Sequence, residues 1–123
     1  MGWGRSMYRE YLAMIRQSLD ALGIKSAWHS FKNIPSDHCY ATYFVPSMEF
    51  GGHDLRAEYY DYTVQVTLLF RDYFKAADTA IETAFEESVR DCGSFSKSCG
   101  YDSSNDQFYT EYTFKFKEFF DTE

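Results

Sequence analysis

The side chains best suited to chemistry near neutral pH are three histidines and three cysteines. His29, His38 and His53 could each act as a general base, yet local sequence marks no serine or cysteine nucleophile beside them. Cys39, Cys92 and Cys99 lack the paired spacing of a tetrahedral zinc site. His38 and Cys39 are neighbours, and on an extended strand neighbours point to opposite faces, so they are poorly placed to share a metal. The reading is three reduced thiols, with a Cys92–Cys99 bridge across a short loop as the alternative. The run Asp102-Ser103-Ser104-Asn105-Asp106 spaces its acids somewhat as a calcium loop does, but lacks the glycine and the distal glutamate. Turns closed by Asp, Asn and Ser side chains account for it better. Glu82, Glu86 and Glu87 read as the solvated face of a helix. No glycine-rich phosphate loop, paired-histidine motif or nucleophile elbow occurs. The expectation is a protein that is not an enzyme, with no catalytic residues, no cofactor and no metal.

Positioning matters more here than reactivity, because the composition favours packing. The 123 residues suit one domain. Aromatic residues make up 20% of the chain, enough burial to offset chain entropy and exclude disorder as the main state. The formal net charge of -7 argues against a specific nucleic-acid partner, which would need a basic face. No apolar run reaches the roughly 18 residues of a membrane span, so no membrane partner is expected. No basic start joins a long apolar stretch, so no signal peptide is expected. Residues 1–6 contain two glycines and no periodicity, and read as an untethered N-terminal extension. The domain is expected over 7–120.

Apolar residues at Tyr8, Tyr11, Leu12, Ile15, Leu19 and Leu22 form one helical stripe, with Gly23 as the stop. Residues 24–31 read as a weak strand, 33–37 as a turn, and 38–45 as a strand ended by Pro46. From Glu58 to Arg71, Tyr60, Tyr62, Val64, Val66, Leu68 and Phe70 alternate with Asp61, Thr63, Gln65 and Thr67. A second helix spans about 76–92, its apolar stripe including Ile81, Phe85 and Val89. A short strand over 95–100 and a polar turn over 101–106 follow. A last alternating strand runs over 107–116, with Phe108, Thr110, Tyr112, Phe114 and Phe116 on one face. The order helix, three strands, helix, two strands implies an α+β domain. Its two layers are an antiparallel or mixed sheet of four to five strands and two helices on one face.

Between Pro46 and Ala57 the pattern lapses into a long loop containing Gly51-Gly52. Loops of this length in compact domains are usually functional or disordered. Its Met48, Glu49, Phe50, His53, Asp54, Leu55 and Arg56 are the first candidates for contact between subunits or with a lumen. The polar face of the central strand, Thr63, Gln65 and Thr67, is the second.

The run Tyr43-Phe44-Val45-Pro46, the glycine-containing loop, the alternating stretch Ala57 to Phe70, a helix, and Phe108 to Phe116 with its Tyr112-Thr113-Phe114 step together resemble a known pattern. It is that of the small tail-completion, or tail-terminator, proteins of long-tailed bacteriophages and prophages, and the likeness spans most of residues 7–120. The resemblance implies a structural head-tail joining protein. Such a protein caps the tail tube as a ring, typically hexameric, and offers a docking face to the head connector. The implied partners are copies of itself, the tail tube protein and head-connector proteins. The implied location is the virion tail, assembled in the bacterial host cytoplasm. An acidic lumen would let DNA slide without sticking. Two other readings stay open: an acidic accessory or immunity-type binder of a basic partner, and a small α+β enzyme with His29 or His38 in a pocket.

Overall fold

The computed structural model describes residues 7–51, 58–71 and 76–120. Helix α1 (Met7–Ala21) leads to β1 (Lys25–Trp28), β2 (Cys39–Gly51) and β3 (Glu58–Arg71). Helix α2 (Ala76–Val89), a 3-10 turn (Arg90–Cys92), β4 (Phe95–Asp102) and β5 (Gln107–Phe120) complete it. The strands form one five-stranded mixed sheet in the order β1-β2-β3-β5-β4, with β1 parallel to β2 and the other pairs antiparallel. The α+β architecture and its element order are as expected.

Helix α1 ends where Gly23 takes φ 74°. Gly23 N–H donates to the Asp20 carbonyl and Ile24 N–H to the Leu19 carbonyl, so the last turn's orphan carbonyls are satisfied and Ile24 turns into the core. The core lies between the helices and one sheet face. Ile15 and Leu19 of α1 and Phe85 and Val89 of α2 are fully buried against Val64, Val66, Leu68 and Phe70 of β3 and Tyr112 and Phe114 of β5. Tyr11 stacks on Phe116 with ring centroids 4.2 Å apart, which ties α1 to the far end of β5.

Two expected boundaries are corrected. The first strand covers only Lys25–Trp28, because His29 adopts φ 67°, a left-handed conformation that ends a strand. Pro46 does not end β2. Phe44 pairs with Gln65 and Ser47 with Thr63, so Val45 and Pro46 together oppose Val64 in a β-bulge. A bulge leaves one residue outside the ladder, where proline's missing N–H costs little. The strand then continues through Met48, Glu49 and Phe50 to Gly51, paired with Tyr62, Asp61, Tyr60 and Tyr59. The expected long loop is therefore shorter. His53, Asp54, Leu55 and Arg56 lie outside the described residues, as does the 1–6 extension.

The three central strands run 13, 14 and 14 residues. At about 3.3 Å per residue each spans roughly 45 Å. The chain joining β1 to β2 wraps the outer sheet face at one end. Phe31 meets Tyr40 edge-on at 5.6 Å, and Arg71 Nη1 donates to the Pro35 carbonyl at 3.2 Å. Beneath it Gln107 donates to the buried Tyr40 hydroxyl.

Candidate functional site

Asp78, Glu82 and Glu86 sit at i, i+4 and i+8 along α2, and share one side of the helix. That side faces the sheet. Asp78 is 1% exposed and Glu82 6%. The expectation that Glu82 and Glu86 lie on a solvated face is thus overturned; only Glu87 of that group is exposed. Buried carboxylates need partners, and the strands supply them. His38 Nε2 lies 3.0 Å from both Asp78 oxygens. Thr110 donates its hydroxyl to Glu82 Oε2. Lys97 Nζ reaches Glu82 Oε1 at 3.0 Å and Glu86 Oε2 at 2.7 Å, and Tyr112 donates to Glu86 Oε2 at 2.7 Å.

The electrostatics of this row follow. Burial pushes the Glu86 carboxyl up, but hydrogen bonds from Lys97 and Tyr112 and the Lys97 charge outweigh it and hold the group below the usual carboxylate range. Burial pulls Lys97 down, and its bonds to Glu86 and Glu82 more than reverse that, so the ammonium is held above its ordinary range. Burial, then the bond to Glu86, push the Tyr112 phenol far up.

Cys39 lies on the same side of the sheet as Asp78. The anticipated opposition of His38 and Cys39 does not occur, because His38 precedes the strand and its ring turns under α2. Burial, with the charges of Asp78 and Glu82, pushes the Cys39 thiol up to about 12. A nucleophilic cysteine needs the reverse, a cationic neighbour and a lowered pKa. The row is built to hold a helix to a sheet. Among the described residues no group of three or more His, Cys, Asp or Glu side chains is placed to hold a metal ion. No disulfide joins Cys39, Cys92 and Cys99; Cys92 is buried and Cys99 exposed. His29 meets Phe44 edge-on at 5.2 Å on the outer face. Asp102 accepts from Ser104 N at 3.1 Å, Ser104 Oγ at 2.9 Å and Asn105 Nδ2 at 2.8 Å, which closes the acidic run as a self-bonded turn.

The expected contact residues divide by position. Thr63, Gln65 and Thr67 stand half-buried on the sheet face away from the helices, opposite Lys115, Thr113 and Glu111 of β5. Ser47 donates to Thr63 across the strand pair at 3.4 Å. The bulge puts Ser47 and Glu49 on this outer face and turns Met48 and Phe50 to the helix side, where they are 42% and 58% exposed. The outer face also holds an open concavity of about 450 Å³ lined by Thr67, Leu69, Tyr101, Asp102, Tyr109 and Glu111. A second, of about 300 Å³, is lined by Ser94, Phe95, Ser96, Thr113 and Lys115. The α2 row escaped the sequence reading. Its signal was the spacing of Asp78, Glu82 and Glu86 immediately beside the apolar stripe of Ile81, Phe85 and Val89.

No family model and no curated protein matches this chain.

Proposed function

We propose that the protein is a tail-completion protein that caps a phage or prophage tail tube as a ring and joins it to the head connector. One observation carries this reading beside the pattern resemblance. Among the described residues the helices cover one sheet face only, leaving Thr42, Thr63, Gln65, Thr67, Glu111 and Thr113 facing outward, each half-buried. A broad, ordered surface of polar side chains can pair its hydrogen-bonding groups across a contact, as the polar parts of protein interfaces do. The ionic row under α2 is occupied in holding the domain together, and Cys39 is held as a thiol, so neither supports a reaction. The exposed Met48 and Phe50 near the end of the long β2-β3-β5 ribbon add apolar material for contact between copies.

The test is electron microscopy of the protein mixed with tail tubes of the phage or prophage that encodes it. A ring at one tube end is the expected result. A single tight complex with a basic protein, and bare tubes, would favour the accessory-binder reading instead. Replacing Gly51–Arg56 with a short linker should leave the monomer folded and block ring formation. Rings that still form would remove that stretch from the interface.

A further inference from the structure

The two edges of the sheet are complementary, and the geometry points to β4 of one copy pairing antiparallel with β1 of the next. This contact deepens the ring reading and rests on it. In sheet order β1 and β2 run one way, β3 the other, β5 back and β4 opposite to β1. A neighbour related by rotation about an axis along the strands, with its helices on the same side, presents β1 antiparallel to β4. The contact is heterologous, as ring closure requires.

The backbone groups are in phase. Arg71 N–H donates to the His38 carbonyl, so odd-numbered residues of β3 bond toward β2 and even-numbered ones toward β5. Carried across the register, Gln107 and Tyr109 bond to Asp102 and Gly100. Lys97, Cys99 and Tyr101 then turn their N–H and C=O groups to the edge. At the other edge, His29 N–H donates to the Tyr43 carbonyl, so Ser26 and Trp28 turn away from β2; the Trp28 carbonyl also accepts from Ser30 N–H at 2.7 Å, so Ser26 and the Trp28 N–H are the groups offered at this edge.

Side chains select the register. Pairing Trp28 with Cys99, Ala27 with Gly100, Ser26 with Tyr101 and Lys25 with Asp102 keeps each pair on one sheet face. It brings the Lys25 ammonium, already 3.2 Å from Asp37, toward the Asp102 carboxylate. It sets Ala27 beside Gly100, where the Tyr109 ring already lies over the backbone and leaves room for little else. It covers Trp28, which is 52% exposed, and Tyr101, which is 49% exposed. Edge strands are normally guarded by lysine, proline or a bulge. Strand β4 pairs with β5 without a break, contains no proline, and its lysine is drawn under α2.

The experiment is disulfide trapping. Trp28→Cys should link to native Cys99 of the next copy, because directly paired strand residues lie within disulfide reach. Under mild oxidation, at high concentration or on tail tubes, it should give a non-reducing ladder that extends past the dimer and ends at the closed ring. Trp28→Cys/Cys99→Ser should give none. Far-UV circular dichroism and melting of the reduced variant, matched to the parent, show that it folds. Amide exchange of the unmodified protein is the second measurement, with Cys99 and Tyr101 slowing on tubes. Crosslinking that stops at dimers, linkage of Ser26→Cys in place of Trp28→Cys, or no linkage in either condition overturns the contact. Tube-end rings without the link leave the ring reading standing and remove this edge pairing. A ladder with bare tubes does the opposite.

Discussion

Lys97 on β4 donates to Glu86 on α2 at 2.7 Å, and the same ammonium reaches the buried Glu82 at 3.0 Å. One cation therefore compensates two carboxylates, and fastens the last strand of the sheet to the helix that covers it. Removing one partner of such a group leaves buried charge behind, which costs more than the pair itself contributes.

Lys97→Met should destabilise the protein by about 2–3 kcal/mol, discounted from fully buried pairs because Lys97 and Glu86 keep partial contact with water. The loss should depend on pH. Glu86 is lowered, so its contribution is present above its ordinary 4.5 and is lost as pH falls through the folded value. Lys97 is raised, so its contribution is present below its ordinary 10.5 and is lost as pH rises through the folded value. The stability gap between parent and variant, from urea melts, should be widest between these limits and narrow at both ends. A gap constant from pH 3 to pH 8 would contradict the arrangement.

Thiol labelling should order the cysteines. At pH 8, Cys99 should react first, and the buried Cys92 should follow only on unfolding. Cys39, pushed to about 12, should also wait for unfolding. Its raised pKa stabilises the fold below its ordinary 9.0, and that contribution is lost as pH rises from there toward the folded value. Mass spectrometry of partially alkylated protein gives the order, and early modification of Cys39 would sink the assignment.

Tyr40 and Gln107 test the outer end of the sheet. Gln107→Ala should cost about 1–3 kcal/mol, since it strands a buried hydroxyl. The double change Tyr40→Phe/Gln107→Leu should come within about 1 kcal/mol of the parent, because neither partner is then left polar. Equal losses in both would show that shape, not the hydrogen bond, dominates there.

A β-carbon on Gly100 would overlap the ring of Tyr109, its cross-strand partner. Gly100→Ala should cost about 1–2 kcal/mol by overpacking. In combination with Tyr109→Ala the penalty of the alanine at 100 should largely vanish. Additive losses in a double-mutant cycle would show that the ring does not occupy that space.

Much of the architecture was legible because it is written in periods. Tyr62 to Phe70 alternate without interruption, and both the strand and its buried face follow from that alone. Met48 and Phe50 have the look of a loop because proline and glycine flank them, and a bulge is a two-strand property invisible along one strand. Glu82 and Glu86 were misplaced for a similar reason. Helical spacing shows which side they share, but their partners Thr110, Tyr112 and Lys97 lie 11 to 28 residues away on other strands. The outward face was legible as polar, while the open edges needed the strand order.

The extra residue at Val45-Pro46 also sets the phase of everything beyond it in β2. Were Val45 and Pro46 instead paired one-to-one with β3, Ser47 and Glu49 would exchange with Met48 and Phe50 across the sheet, while everything before Phe44 kept its place. One doubled residue thus decides which side of the tip carries its two large apolar side chains.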